Sequence, residues 1–567
     1  MKKQIFLGVA LLLLTASCSN NDTTNEDEKG KVDVAQAVNF TVDFADYNAE
    51  QEVGVTRAAE ANKEEKLEQQ AIDLGNGILA MCTLQRDNTK QEKPAATRAL
   101  PNDTYTMMAY DAATKAFKGE MTGTVSGGAF IAVHANNNIQ LTPGTYDFVL
   151  FNSKVTRSGN NLTVARADAG AAMIGRTENV TITPTPQKQQ VAFTLKHAGA
   201  KVKLKLTAYM AISGAGATLE SLNATDIPAS STYDAATGTW TVDGGAALST
   251  NAAFPASAEP QYTSETYTST SGDIMFMPAT DVSKLKLTFS AGSIYNMNMA
   301  NKGLTFHPAS TLTLEQNGAY VLNVKLMYNF LYLMSNGDVG TIKETIYGGA
   351  PAATAKTPIA VVLSRSNRMA VALNDAGGGA PMIWGNMGRV RTNTYNISAH
   401  DWSDNFFSHG KSGLDETWNA SYSVGSYGVK ATNPAFPASQ AAANYNPGVA
   451  YTGSPALQWY LPSYTDFVPL ATLGFGNIYY LTIGAAANWY GNLANVAFTQ
   501  VNGTALSATS GDKYYWTSSG NWAWFVGGGS SFPIYGTISM RINKGGMEWS
   551  GSNNRNFYLY VRSFVKY

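Results

Sequence analysis

Cysteine is nearly absent from this chain of 567 residues, which contains only Cys18 and Cys82. Two cysteines cannot form a cysteine-rich metal cage, and the five histidines are dispersed along the chain. The sequence also lacks the motifs of zinc proteases, serine hydrolases and phosphate-binding loops. These absences predict a protein that is not an enzyme and that needs no cofactor.

Charge is also scarce. Only 14% of the residues are charged, and 40 basic residues against 41 acidic ones give a net charge of −1. A chain without a strong positive field does not attract phosphates, which argues against nucleic acid as a partner. The hydrophobic share of 44% excludes wholesale disorder, and 52 glycines and 29 tyrosines are typical of an exported β-protein. The length predicts three or four domains.

No apolar segment reaches the length of a membrane-spanning helix, because the run at 5–14 is too short. That run follows a basic start and leads through small residues to Cys18, a pattern that resembles a bacterial lipoprotein signal. The resemblance implies a signal peptide at 1–17 and a lipidated, palmitate-bearing Cys18 that anchors the precursor in the outer membrane. Residues 18–37 are then an acidic flexible tether. The alternative is an ordinary signal peptide with a chance cysteine.

Apolar and polar residues alternate without exception from residue 38 to residue 44, which is the period of a strand with one buried face. From Thr104 onward, strand-like segments recur between turn signals. We therefore predict a mainly β fold that begins with two tandem antiparallel β-sandwiches of the transthyretin-like or Greek-key kind. Their predicted bounds are 38–195 and 196–327.

Lysines alternate with aliphatic residues at Lys201, Lys203 and Lys205, at the start of the second predicted sandwich. We interpret this stripe as a solvated strand face whose charges discourage edge-to-edge pairing. A site for an anionic ligand is the alternative.

The composition changes after Met327, since nine of the ten tryptophans lie between Trp384 and Trp549. This change predicts a distinct third domain at 328–567. It contains two helix signals: an alanine-rich segment at 437–443, and a capping-box variant at 463–466 that opens a short helix through Leu470.

The lipoprotein signal, the alternating first strand, the tandem sandwiches and the tripeptides Thr56-Arg57-Ala58 and Thr97-Arg98-Ala99 together resemble the fimbrillin family, the subunits of type V pili. The resemblance implies that an arginine-specific protease cuts after Arg57 or Arg98. The first strand is then removed, and its groove accepts a strand donated by another pilin subunit. The groove-filling side chains would be Val38, Phe40, Val42 and Phe44. We favour Arg57, since a cut there frees the first strand alone; the alternative is that both are ordinary loop arginines.

The motifs Trp459-Tyr460-Leu461-Pro462-Ser463, Tyr514-Tyr515-Trp516-Thr517-Ser518-Ser519 and Tyr560-Val561-Arg562 recur in an order that resembles bacterial C-type-lectin-like domains. The resemblance implies a mixed α/β fold with a ligand-presenting end. Sugar recognition needs an exposed aromatic platform beside amides, so the candidate ligand-binding residues are Trp402, Trp522, Trp524, Trp549, Asn521 and Asn553. The alternative is that these tryptophans pack as core.

The calcium-site tripeptides of sugar-binding C-type lectins are absent. Four acidic residues could form a loop site for calcium, which needs six to eight oxygens. They are Asp401, Asp404, Asp415 and Glu416. We interpret them as scattered solvated acids, and we predict no metal.

These observations predict the tip subunit of a type V fimbria, a cell-surface adhesin assembled by protease-triggered strand exchange and binding a glycan or protein ligand. The tip position is expected because the chain ends inside a globular domain and offers no free C-terminal strand. The alternatives are an outer-membrane lipoprotein that captures glycans without polymerising, and an adhesin that binds only protein.

Overall fold

The computed structural model describes residues 30–48, 65–67, 71–87, 103–184, 189–257, 262–386, 390–394, 397–399, 412–478, 484–508, 510–527 and 529–567. Six positions named in the sequence analysis lie outside the described residues: Cys18, Arg57, Arg98, Asp401, Trp402 and Asp404. The fold is mainly β, with three units along the chain. Among the described residues, none of the helices has the length and apolarity needed to cross a membrane.

The first unit is a closed barrel of seven strands around an aromatic and aliphatic core. In barrel order the strands are Gly144–Asn152, Met173–Ile182, Gln189–His197, Val38–Phe44, Ala129–Asn137, Phe117–Ser126 and Tyr105–Asp111. A short pair, Val32–Asp33 with Gln140–Leu141, lies beside it. The predicted flexible tether, 18–37, is therefore wrong for residues 32–37, because Val32 and Val34 are buried in the barrel core and a helix follows at Val34–Ala37. The unit differs from the predicted antiparallel sandwich in being closed and in containing one parallel pairing, between Val38–Phe44 and Gln189–His197.

The second unit is a sandwich of two sheets that share one core. It differs from the predicted antiparallel sandwich in one pairing, because Ala200–Ala208 and Ala319–Tyr328 pair in parallel. The larger sheet contains Tyr267–Thr270, Ala200–Ala208, Ala319–Tyr328, Ile78–Arg86 and Glu65–Lys66 in that order, with Ile274–Phe276 and Ile72–Gly75 attached. The facing sheet contains Ser249–Ala253, Ser213–Ser221, Leu285–Ile294, Met297–Asn298 and Gly303–Thr305.

The chain order does not follow the predicted boundary between these two units. Ile78–Arg86 falls within the predicted first sandwich, 38–195, but it pairs antiparallel with Ala319–Tyr328 in the second unit. A four-stranded sheet also combines both sides of the boundary at residue 195, since Thr156–Ser158 and Asn161–Ala165 join Ile227–Asp234 and Thr239–Ala246. The chain therefore passes between the two units more than once, and both the larger sheet of the second unit and the four-stranded sheet join segments from the two sides of the predicted boundary.

The lysine stripe does not form the solvated face that the sequence analysis predicts. Ala200–Ala208 lies inside its sheet, and Lys201 is 7% exposed with its ammonium 3.4 Å from the carboxylate of Asp273. Lys203 pairs with Asp87 at 3.3 Å. The interpretation is wrong for Lys201 because neighbouring strands and carboxylates cover it.

The third unit is mixed α/β. Its six-stranded sheet runs Val339–Thr341, Leu331–Met334, Pro358–Ser364, Met369–Ala372, Phe564–Lys566 and Gln458–Tyr460, and its five-stranded sheet runs Ile397–Ala399, Lys513–Gly527, Ser530–Ile542, Gly546–Asn553 and Ala486–Asn488. The α-helices of the described chain are Val34–Ala37, Gly413–Trp418, Pro437–Ala443, Tyr464–Ala471 and Gly491–Thr499. The 3-10 helices are Arg166–Asp168, Val282–Lys284, Ile342–Glu344, Ile346–Gly348, Gly377–Gly379, Ala420–Tyr422 and Thr472–Gly474.

Both predicted helices of this unit are confirmed. Pro437–Ala443 has proline in its first turn, where a missing N–H costs nothing. Tyr464–Ala471 begins at a reciprocal capping box, in which the Ser463 and Asp466 side chains each accept from the other residue's backbone N–H. Gly491–Thr499 was not predicted, because its apolar spacing is interrupted by asparagines.

The second and third units share a continuous core. The ring of Phe475 packs against Tyr328 and Tyr295, with centroids 5.6 and 6.4 Å apart. At the rim of this contact, the Lys544 ammonium lies 2.9 Å from the carboxylate of Glu265. The third unit is therefore held firmly on the end of the second.

Candidate functional site

The first candidate site is the strand Val38–Phe44, one of the seven strands of the barrel. Its alternation is confirmed: Val38, Phe40 and Val42 are buried, and Phe44 is half-buried. The exposed partners in the alternation are Asn39, Thr41 and Asp43. The alternation therefore predicts both the strand and the face that it buries.

Phe40 lies at the centre of the buried face of this strand. It is 2% exposed, and its ring centroid lies 5.5 Å from that of Phe148, 6.0 Å from Phe193 and 6.4 Å from Phe130. These three rings come from three other strands of the barrel, so one side chain connects much of the core.

The strand is held unequally along its two edges. Seven consecutive residue pairs join it in parallel to 189–195, whereas only Thr41 pairs with Ala129 on the other side. The Val42 N–H also donates to the Gly128 carbonyl at 2.8 Å. If this strand departs, an apolar slot and two unpaired strand edges remain, which is the arrangement that accepts an added strand.

The second candidate site is the long hairpin formed by Lys513–Gly527 and Ser530–Ile542 in the third unit. Trp522 lies directly opposite Tyr535, and Trp524 lies opposite Pro533. Because opposite residues and alternate residues of a strand share a face, these four positions lie on one side of the hairpin. Trp522 and Tyr535 are half-buried, and Pro533 is exposed.

A buried arginine lies beside this pair of strands. Arg555 is 1% exposed; it donates to the carbonyls of Val390 and Gly536, and its guanidinium lies 4.9 Å from the ring centroid of Trp384. Burial lowers the pKa of Arg555 to about 10. Among the described residues it has no ion-pair partner, so its charge is compensated only by carbonyls and an aromatic face.

The sequence analysis did not identify four apolar side chains that are exposed in the third unit. Their exposed fractions are 55% for Val390, 47% for Phe532, 53% for Phe557 and 71% for Tyr558. A signal was present at residues 554–558, where two adjacent aromatic residues follow a polar Asn-Arg-Asn segment.

Two predicted ligand-binding residues are buried. Trp549 is 0% exposed and packs edge-on against Tyr464 and Phe467, with centroids 6.0 and 6.3 Å apart. Asn521 is also 0% exposed. Neither offers a surface to a sugar, so the prediction of a ligand contact is wrong for Trp549 and Asn521, and both are core residues.

The remaining predicted ligand-binding positions are described only in part. Trp402 lies outside the described residues. For Trp524 and Asn553 the structure gives the strand position alone, opposite Pro533 and Thr537 respectively.

The predicted solvated acids are not all solvated. Glu416 is 0% exposed, and its Oε1 accepts from the ammonium of Lys430 at 2.8 Å. That interpretation is therefore wrong for Glu416, whose partner is a lysine of the same unit. Within the described ranges, the structure brings together no group of three or more His, Cys, Asp or Glu side chains that could hold a metal ion.

Several solved structures resemble this chain at low identity. The tip fimbrial protein Mfa3 from Porphyromonas gingivalis, with a C-terminal truncation, matches at 12% identity and a TM-score of 0.24, over 40% of this chain and 92% of that one. A fimbrial protein from Bacteroides vulgatus matches at 13% identity and a TM-score of 0.25, over 42% of this chain and 90% of that one. A fimbrial protein from Bacteroides ovatus matches at 10% identity and a TM-score of 0.21, over 94% of this chain and 99% of that one.

The family assignment rests on a different comparison. No curated protein matches the chain. The model of the fimbrillin-like family matches residues 41–339, which is more than half of the chain and covers both N-terminal units. The chain therefore belongs to the fimbrillin-like family, and this membership supports a fimbrial or adhesin role at the cell surface.

Proposed function

We propose that this protein is the tip adhesin of a type V fimbria, exported as an outer-membrane lipoprotein and assembled by protease-triggered strand exchange. The observation that carries the proposal is the strand Val38–Phe44, which plugs the barrel and is bonded by one full edge only. A cut in the segment that follows this strand would leave the strand hydrogen-bonded to the barrel but no longer covalently joined to the rest of the chain. Its groove could then accept a strand from another pilin subunit.

The fold favours Arg57 over Arg98 as the site of that cut. A cut at Arg98 alone would release Ile78–Arg86 as well, which makes nine residue pairs with Ala319–Tyr328 and contributes Leu79 and Cys82 to the shared core. A cut at Arg57 leaves the second unit whole.

We expect Arg57→Ala to abolish maturation and Arg98→Ala to leave it intact. The measurement is the N-terminus and mass of the mature protein on its native cells, in the fraction that co-purifies with filaments. The expected start is Ala58. A start at Ala99 would show that the larger segment is removed, and a lipidated start at Cys18 in the whole population would overturn the assembly proposal.

The proposed tip position rests on the third unit, which would face outward and bind the target surface in the manner of a C-type-lectin-like domain. Its strand Phe564–Lys566 lies between Met369–Ala372 and Gln458–Tyr460 and is hydrogen-bonded along both edges, so this strand is built into the sheet of the unit. The role is binding without catalysis.

The aromatic face of the hairpin is the proposed ligand contact, with a glycan stacking on Trp522 and Tyr535. We expect Trp522→Ala to weaken glycan binding by the full chain about 5- to 150-fold, which corresponds to the ~1–3 kcal/mol that one aromatic side chain contributes by stacking on a nucleic-acid base. A glycan array, run with and without chelator, first identifies a glycan that the parent chain binds, and this glycan is then used for the comparison. Phe117→Ala is the control, since Phe117 is 42% exposed but lies on the barrel.

Equal binding by both variants would exclude this face. A parent chain that binds no glycan would favour the second candidate function, an adhesin for protein, which the exposed Phe557 and Tyr558 support. An anchored lipoprotein that captures glycans without polymerising would bind glycans but keep its lipidated N-terminus.

A further inference from the structure

The first strand continues beyond the barrel into a short segment, residues 45–48, that we call the junction segment. The Ala45 N–H donates to the Leu195 carbonyl at 2.8 Å, which extends the parallel pairing by one residue. The next residues cross to the second unit at its larger sheet. The barrel strand Gln189–His197 and the sheet strand Ala200–Ala208 are linked there by only two residues. The junction segment therefore lies across the two-residue connection, residues 198–199, between the first and second units, and we call this connection the hinge.

Asn48 forms hydrogen bonds with the second unit through nearly all of its polar groups. Its side-chain amide donates to the carbonyls of Asp87 and Ala319 at 3.0 and 3.2 Å, and its Oδ1 accepts from the Ala319 N–H at 2.9 Å. Arg86 donates to the same oxygen at 3.2 Å. The Asn48 N–H donates to the Asn317 carbonyl at 2.9 Å.

The backbone of Asn48 explains why this residue type suits the position. Its φ of 64° lies in the left-handed region, which asparagine adopts far more readily than most residues. A glycine would tolerate the same backbone but would lose every side-chain bond.

Tyr47 makes a second set of contacts between the junction segment and the hinge region. Its ring stacks on the imidazole of His197, with centroids 4.1 Å apart and planes 3° from parallel, and the Lys201 ammonium lies 4.5 Å from its centroid. The His197 Nδ1 is 3.0 Å from the Gly170 carbonyl, and the His197 N–H donates to the Asn317 Oδ1 at 3.2 Å. The imidazole and the ammonium are thus held in place for an aromatic ring.

We propose that this surface, formed by His197, Lys201, Asn317, Ala319 and Arg86, is a second recognition site for the donated strand of a neighbouring subunit. It selects a strand that carries an aromatic residue followed by asparagine. The inference rests on the proposed function, because residues 45–48 precede Arg57 and would leave with the first strand. Their departure removes the ring from His197 and Lys201 and strips Ala319 and Arg86 of the Asn48 oxygen. An incoming strand restores these contacts, and locks the hinge, only if it offers the same two groups.

The test uses the full chain with one engineered protease site in place of Arg57, cut after folding. Labelled synthetic peptides of residues 38–48 then compete with the cut segment, and fluorescence anisotropy gives their dissociation constants. We expect Tyr47→Ala and Asn48→Ala peptides to bind about 10- to 100-fold more weakly than the parent peptide, because each loses several contacts. Asn39→Ala is the matched control, since Asn39 is exposed on the same strand and bonds only to the exposed Gln190 among the described contacts; it should bind like the parent.

The outcomes separate the two proposals. If all four peptides bind equally, the junction site is overturned while the strand-exchange groove survives. If the parent peptide does not bind at all, the proposed function fails and the inference fails with it. In the uncut chain, Asn48→Ala should speed hydrogen exchange at residues 198–201, which include the hinge, more than Asn39→Ala does; equal exchange would also contradict the hinge-locking role.

Discussion

Replacing Phe40 with alanine is expected to lower the free energy of unfolding of the barrel by about 3–5 kcal/mol. The side chain is 2% exposed and contacts the rings of Phe130, Phe148 and Phe193, so its removal leaves a cavity that three neighbouring strands border. Collapse of this cavity would require the barrel strands to shift while the parallel pairing holds their register. The cost should therefore lie near the upper part of the range for buried aromatic residues.

Native-state hydrogen exchange is the appropriate measurement. A chain of three units is not expected to unfold in one transition, so a single melting temperature would mix the barrel with its neighbours. Amides of Tyr105–Asp111 and Gly144–Asn152 report on barrel opening. Thr41→Ala is the matched control on the same strand; Thr41 is exposed, and we expect a change within about 0.5 kcal/mol. Equal effects of the two substitutions would mean that the first strand is not seated in the groove, and the strand-exchange proposal would lose its basis.

The features of this fold that the sequence predicts are those set by local patterns. Val38–Phe44 begins and ends at the predicted residues because strict alternation requires one buried and one exposed face. The helix at Tyr464–Ala471 follows from the capping box at Ser463 and Asp466, whose bonds join residues three apart in the chain.

Neighbours within a sheet are set by tertiary contacts, which local patterns do not encode. The apolar strand Ile78–Arg86 is recognisable in the sequence, but nothing in it indicates that its partner begins more than two hundred residues later at Ala319. The parallel pairing of Val38–Phe44 with 189–195 is hidden for the same reason. The assignment of chain segments to the first and second units could therefore not be read from turn spacing.

Residue type alone also fails to separate core from surface in the third unit. Trp522 and Trp549 are both predicted to face a ligand, yet Trp549 packs against Tyr464 and Phe467 whereas Trp522 stays half-buried. Helix Tyr464–Ala471 makes the difference, because it covers one strand of the sheet at Trp549. A ligand-facing residue can be proposed only after that helix is placed.

The buried pair Glu416 and Lys430 carries the second large expected effect. Both side chains are 0% exposed and 2.8 Å apart, and the Lys430 ammonium also donates to the Ser423 hydroxyl at 2.9 Å and the Tyr422 carbonyl at 3.2 Å. Burial lowers the pKa of Lys430, against the opposing effect of the Glu416 carboxylate. The pair joins helix Gly413–Trp418 to the loop that leads to Phe436, so it fixes loop geometry in the proposed adhesin unit.

Glu416→Gln is expected to destabilise the third unit by about 3–5 kcal/mol, because it leaves a buried ammonium without a counter-charge. The loss should depend on pH. With its pKa lowered further in the folded variant, Lys430 binds fewer protons when folded than when unfolded, so stability rises as the pH is raised toward its ordinary pKa of 10.5. Chemical denaturation at pH 7 and pH 9, with hydrogen exchange at Pro437–Ala443 and Gly413–Trp418 as the readout, measures the loss of stability and its dependence on pH.

Two further variants decide what the pair contributes. Asp415→Asn, on the same helix, removes a half-buried carboxylate and should change the stability by less than about 0.5 kcal/mol. If Glu416→Gln behaves like Asp415→Asn, the ammonium is reached by water and the pair is not buried in solution. The double variant Glu416→Leu with Lys430→Met removes both charges and is expected to approach the stability of the parent, since paired buried charges add little net stability. A double variant that is stable but no longer binds the ligand of the parent would show that the pair selects the loop arrangement at this end of the molecule, which is the property that an adhesin requires.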